Sequence, residues 1–227
     1  MKFLAALTAF ACLAAAAPAE LDARQLGSST ATDLEKGQSS NCPSAILIFA
    51  RGSTETGNMG MSVGTSLSGA LKKKVSGIWI QGVGGPYTAG LGDNAMPRGS
   101  SAAAIKEGVR LMNLAHEKCP NAAILTGGYR LTQPVLISQG SALIAAAITD
   151  LDATVREQVK GAALFGYTQN KQNKGQIPSF PADRTKVFCA SGDLVCEGSL
   201  IVAAPHFTYG SSASGEGADF LAGKVSS

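Results

Sequence analysis

Apolar runs of strand length alternate with segments of helical period along most of this 227-residue chain. Ala45–Phe49 is an unbroken Ala-Ile-Leu-Ile-Phe run. It stops at the polar stretch Arg51-Gly52-Ser53-Thr54-Glu55-Thr56-Gly57, as a buried strand entering a loop would. Val63–Lys74 has the period of a moderately amphipathic helix, and Ile78–Val83 reads as a second strand broken by Gly84-Gly85-Pro86. Ser101–Glu117 carries Ile105, Val109, Met112 and Leu114 at helical spacing. The run Ala122-Ala123-Ile124-Leu125 ends in glycines. Ser141–Ile148 is Ala-rich, with Leu143, Ile144, Ala147 and Ile148 on a helical repeat. Strands at Gly161–Gly166 and Thr185–Cys189 and a last helix near Phe220 complete the series. This alternation predicts an α/β fold of three layers, α/β/α, in which a parallel sheet of about five strands is covered on both faces. With no repeats and no internal linker, residues 42–227 form a single domain.

The first residues fall outside that pattern. Lys2 precedes the apolar run Phe3–Ala17, which is too short to span a bilayer and ends in small residues. Residues 1–19 therefore read as a secretory signal. Residues 20–41 are polar and aperiodic, the composition of a flexible arm or pro-segment. No later run has the length of a membrane span, so an exported protein without membrane insertion is expected. The net charge of +3 is scattered, and Lys72-Lys73-Lys74 reads as a solvated helix end, which argues against a nucleic-acid partner. No exposed apolar stripe or heptad calls for an oligomer, and a monomer is expected. Of the five cysteines, Cys12 leaves with the signal. Cys42, Cys119, Cys189 and Cys196 remain, enough for two disulfides with three possible pairings. Cys189 and Cys196 are close enough to close a small loop, which leaves Cys42 for Cys119. Their spacing and the shortage of histidines do not suit zinc.

Candidate chemistry centres on Gly127–Gly140, which reads Gly-Gly-Tyr-Arg-Leu-Thr-Gln-Pro-Val-Leu-Ile-Ser-Gln-Gly. Omitting the eight residues Arg130–Ile137 leaves Gly128-Tyr129-Ser138-Gln139-Gly140, a G-x-S-x-G between a strand and a helix. In such an elbow the sharp turn lifts a serine hydroxyl clear of the backbone. Only two histidines are available as general base. His116 sits late in a helical segment, whereas His206 follows Leu200–Pro205 on a loop before the last helix. Asp193 lies between Cys189 and Cys196 just past a strand, and the order Ser138, Asp193, His206 is that of α/β-hydrolase triads. A literal G-x-S-x-G also occurs at Gly60-Met61-Ser62-Val63-Gly64, but no strand precedes it, so Ser62 is not expected to be a nucleophile.

Five motifs, in order, resemble the fungal cutinase family: Arg51-Gly52-Ser53-Thr54-Glu55, Trp79–Gly85, Leu91-Gly92-Asp93-Asn94-Ala95-Met96-Pro97-Arg98-Gly99, Leu164–Thr168 and Ala204-Pro205-His206. The resemblance runs from about Cys42 to the C-terminus, broken only by Arg130–Ile137. It implies a small lidless α/β-hydrolase that cleaves the plant-cuticle polyester cutin or soluble esters, with no metal or cofactor. The implied triad is Ser138, Asp193 and His206, and the implied oxyanion hole is Ser53 with Gln139. Asn94 would orient Ser53. Leu91, Val202 and Phe207, with Tyr129 beside the nucleophile, would line the substrate site. The implied disulfides are Cys42–Cys119 and Cys189–Cys196.

The insertion falls where an elbow tolerates least, since it puts Leu136 at the position two before the serine, where the family has glycine. Two arrangements are expected. In one, strand Ile124–Tyr129 holds and the insert leaves it. In the other, Pro134–Ile137 takes the strand's place. Either misplaces Ser138, and about 1 Å of misplacement can cost ~10²-fold in rate. A chain carrying the insert is thus expected to fail a butyrate-ester assay. The eight residues keep the reading frame, and Leu131-Thr132 can be encoded as CTAAC, which resembles a fungal intron branch site. A retained intron tail accounts for both facts, and a transcript encoding all eight residues would rule it out. The rival readings are an acetylxylan esterase of the same family and a non-catalytic secreted binder or elicitor.

Overall fold

A computed structural model describes residues 28–90, 96–129, 139–190, 196 and 209–225. Five strands, β1 (Ala45–Ala50), β2 (Trp79–Gly82), β3 (Ala123–Tyr129), β4 (Val159–Phe165) and β5 (Thr185–Phe188), form one sheet in the order β2-β1-β3-β4-β5. All four pairings are parallel, from Ile46↔Trp79 at one edge to Phe165↔Phe188 at the other. The expected three-layer parallel architecture is the one observed.

Alternating side chains sort the two faces. Ile46, Ile48, Ile124, Ala162 and Leu164 pack beneath α3 (Ala102–Lys118), α4 (Gly140–Asp150) and α5 (Ala153–Gln158). Leu47, Phe49, Leu125, Ala163 and Phe165 face α2 (Val63–Lys74) and the C-terminal helices α6 (Tyr209–Ser212) and α7 (Ala218–Gly223). Both faces of β1 and β3 are fully buried, which is why those strands read as unbroken apolar runs. The predicted last helix is interrupted: a π turn at Ala213–Gly217 separates α6 from α7, and Gly215 there leaves helical dihedrals.

Residues 28–41, expected as a flexible arm, lie instead along the β2 edge. The short helix α1 (Asp33–Lys36) buries Leu34 completely. The Ile80 N–H donates to the Asp33 carboxylate at 3.0 Å, and Thr32 bridges Gln81 antiparallel. Lys118 Nζ donates to the carbonyls of Leu34, Glu35 and Gly37 at 3.0–3.1 Å, serving the C-terminal end of α1. The segment satisfies and covers an otherwise open sheet edge, and polar composition alone carries no sign of that.

The chain goes from β1 outward to β2, then returns to the other side of β1 to lay down β3, β4 and β5. The connection reverses between β1 and β3. In open parallel sheets ligands bind at the carboxyl ends of such strands. Just beyond β4, burial holds the Tyr167 phenol above its ordinary value of 10.0, while its hydrogen bond from Asn173 Nδ2 (2.7 Å) acts the other way. The folded chain therefore keeps this proton to higher pH than the unfolded chain. The associated stability is complete below about pH 10 and is lost as pH rises through the folded value. Urea unfolding at pH 8 and pH 10.5 is expected to show a smaller alkaline loss for Tyr167→Phe than for the parent, and equal losses would contradict this account.

Candidate active site

The loop after β1 and the N-terminus of α4 meet at the reversal. A Cβ built on Gly140 would stand 2.2 Å from the Ala50 carbonyl oxygen and 2.6 Å from that of Arg51, so helix backbone rests directly on the end of β1. Only glycine permits this approach. The same Cβ would lie 2.5 Å from the Tyr129 oxygen, and one on Gly128 would lie 2.5 Å from the Gly140 oxygen. The Ser141 hydroxyl is shared between the carbonyls of Gly128 (2.9 Å) and Phe165 (2.8 Å), pinning α4 to β3 and β4.

Strand and helix therefore keep an elbow's contact on either side of the insertion. Ala123–Tyr129 fill the whole of β3, paired from Ala45↔Ala123 to Ala50↔Gly128 on one side and up to Tyr129↔Phe165 on the other. This overturns the arrangement in which Pro134–Ile137 replaces the strand, because its ladder positions are occupied.

Of the expected site residues, Ser138, Asp193, His206, Leu91, Asn94, Val202 and Phe207 lie outside the described residues. Ser53 and Gln139 are described. Both are buried, Ser53 on the loop after β1 and Gln139 at the N-cap of α4. The Gln139 side chain is engaged: its Oε1 accepts from Ser100 Oγ at 3.0 Å and its Nε2 donates to the Gly90 carbonyl. Those two contacts hold the residues flanking the segment that bears Leu91 and Asn94. The start of an 11-residue helix presents N–H groups and a dipole suited to developing negative charge. Tyr129 is buried in the second core layer and lies edge-on to Tyr209 at 6.2 Å.

Sequence reasoning missed Tyr209. Its ring meets Tyr129, the residue from which the Ser138 segment departs. Its hydroxyl accepts the Ala190 N–H at 2.9 Å, where the Asp193 segment departs. Tyr209 itself is where the His206 segment ends. Tyr129, Ala190 and Tyr209, the described residues adjoining the stretches that bear the candidate triad, thus meet at one buried side chain. Two disulfides, Cys42–Cys119 and Cys189–Cys196, brace the domain, and the second closes the segment containing Asp193. His116 is remote from this cluster. It pairs through Nδ1 with Gln158 Oε1, and Gln158 binds the Cys119 and Ala122 carbonyls at the amino end of β3.

Comparison with known proteins agrees with this architecture. A family profile described as Cutinase matches residues 41–225. The chain is 54% identical over 233 residues to "Cutinase 1" of Fusarium vanettenii, covering 99% of this chain and 97% of that protein. Among solved structures, a Trichoderma reesei cutinase in complex with a phosphonate inhibitor superposes with a TM-score of 0.70 at 28% identity, over 88% of this chain and 81% of the other. An acetylxylan esterase superposes with a TM-score of 0.61 at 20% identity, over 82% of this chain and all of the other, a likeness of fold alone.

Proposed function

Because the chain belongs to the cutinase family, we propose that it is an exported serine carboxylic-ester hydrolase acting on cutin polyester. Its working form is the one in which Ser138 directly follows Tyr129. Ser138 attacks the ester carbonyl while His206 takes its proton, and Asp193 fixes the imidazole tautomer and stabilises the imidazolium. The Gln139 backbone amide and Ser53 receive the oxyanion. The tetrahedral intermediate collapses to an acyl-enzyme as the ester C–O bond breaks and His206 gives its proton to the departing alcohol. Water activated by His206 then hydrolyses the acyl-enzyme, releasing the acid and restoring the Ser138 hydroxyl. The observation that supports the reading is that Tyr209 meets both the Tyr129 ring and the Ala190 N–H, so the described residues next in sequence to the stretches bearing Ser138, Asp193 and His206 lie together. The flanks to be joined already lie close together, since a Cβ on Gly140 would stand 2.5 Å from the Tyr129 carbonyl oxygen.

The test is labelling of the chain lacking Arg130–Ile137 with an alkyl phosphonate ester, followed by peptide mass spectrometry. One adduct is expected, on Ser138, and none in the Ser138→Ala variant. An adduct on Ser62 would overturn the nucleophile assignment. Incubation with cutin and with acetylated xylan decides the substrate: hydroxy fatty acids are expected from the first. Acetate from the second without fatty acids from the first would reassign it to xylan.

A further inference from the structure

The second G-x-S-x-G, at residues 60–64, has a structural explanation that reaches the active site. Glu55 folds back over its own loop and its carboxylate accepts four donors. Oε1 takes the Ser62 hydroxyl at 2.6 Å and the backbone N–H groups of Met61 and Ser62 at 3.1 Å each. Oε2 takes the Gly52 N–H at 2.9 Å. The two amides of residues 61 and 62 mark the entry to α2, where a negative charge is favoured. Gly60 makes room: its φ is +76°, and a Cβ there would stand 2.3 Å from Glu55 Oε2. Gly64 is equally tight, with a Cβ position 2.0 Å from the Met59 carbonyl oxygen. Each of the three motif residues thus has a packing or bonding task around Glu55 or at the start of α2.

What Glu55 grips is the loop carrying Ser53. Gly52 precedes Ser53, and Thr54 after it holds a positive φ of 64°, a left-handed conformation that is unfavourable for a non-glycine residue. Arg51 closes the other side. It donates from Nε to the Glu55 carbonyl at 2.8 Å and from a terminal nitrogen to Thr88 at 3.0 Å, and it lies over the Tyr87 ring at 5.3 Å. Tyr87 in turn donates its hydroxyl to the Arg51 carbonyl at 2.7 Å. The Ser53 turn is held between two clamps, and Glu55 links it to the start of α2.

We propose that Glu55 is a positioning residue for the oxyanion loop, setting Ser53 through Gly52, with Ser62 as its anchor on α2. This rests on the reading that Ser53 receives the oxyanion. Glu55→Gln isolates the claim, because the amide oxygen can still accept from residues 61 and 62 while its NH₂ group faces the Gly52 N–H, donor against donor.

Two measurements decide it. In the full chain, amide exchange at Gly52 is expected to accelerate about tenfold or more in Glu55→Gln, with the Tm little changed. An unchanged Gly52 rate overturns the proposal. In the chain lacking Arg130–Ile137, Glu55→Gln is expected to lower kcat about tenfold with KM within about twofold, as for a displaced oxyanion donor. Ser62→Ala, which leaves Glu55 three donors, is expected to lose less, and Glu55→Asp to recover part of kcat. A kcat equal to the parent's overturns the proposal. Absence of hydrolysis in the parent shortened chain would instead refute the proposed function, and the Gly52 exchange rate would still decide whether Glu55 holds the loop.

Discussion

Removing Arg130–Ile137 is expected to raise ester hydrolysis by at least about 10²-fold over the full chain, measured with p-nitrophenyl butyrate. The physical basis is continuity. With the eight residues absent, Ser138 and Gln139 alone join Tyr129 to Gly140, and these two residues are already in backbone contact. With the eight present, the residue two before the serine is Leu136 and no longer Gly128. Yet Gly128 is the residue packed against α4, where a Cβ would come 2.7 Å from the Ser141 Cα. The hydrogen bonds of Ser141 to Gly128 and Phe165 lie outside the deleted stretch, so thermal stability is expected to stay the same or rise. Ser138→Ala in the shortened chain should return the rate to the uncatalysed blank. A full chain that hydrolyses as fast as the shortened one would refute the account. Peptide mapping of the protein from its native source, across Thr126 to Ala147, shows which form is made.

The two disulfides are expected to separate stability from activity. Cys42–Cys119 spans 77 residues and Cys189–Cys196 only 7. Loop-closure entropy then assigns about 4.5 kcal/mol to the first and about 2.5 kcal/mol to the second. In the chain lacking Arg130–Ile137, replacing Cys42 and Cys119 by alanine should lower Tm by about 10 °C or more while leaving kcat of the remaining folded protein close to that of the shortened parent. That bond ties the start of β1 to the end of α3, at the amino end of the sheet. Replacing Cys189 and Cys196 should cost less stability and more turnover, because their loop carries Asp193 and joins β5 where Ala190 meets Tyr209. Urea unfolding and butyrate-ester kinetics on both double variants check the ordering. A larger stability loss from the shorter loop would refute the entropic basis.

Strand positions were legible because β1 and β3 are covered on both faces, so burial is written into composition as unbroken apolar runs. The helices α2 and α3 were legible for the complementary reason, each pressing a periodic apolar face on the sheet, whereas α4, buried from Gly140 to Ile148, was legible as an Ala-rich apolar run. The segment 28–41 was not. Its hold on the β2 edge comes from Asp33, Lys118 and backbone groups, polar contacts with no periodic signature. The packing of Tyr129 beside Tyr209 was not legible, because adjacency to a serine in sequence says nothing about which way a strand side chain points. The Ser62 motif is legible in the sequence only as a G-x-S-x-G with no strand before it, and its use by Glu55 depends on a side chain folding back across seven residues.

The sequence by itself determined the order of strands and helices, the family and the residue types a hydrolase needs, since hydrophobic period and local motifs are written in near neighbours. Tertiary structure alone decided that β3 keeps Ala123–Tyr129 ahead of the insertion, that Tyr209 brings Tyr129 and Ala190 together and that Glu55 takes the Gly52 N–H. Those outcomes come from ladder pairing, backbone contact at glycines and hydrogen bonds between residues that only folding brings together, and no local pattern encodes which partner each will find.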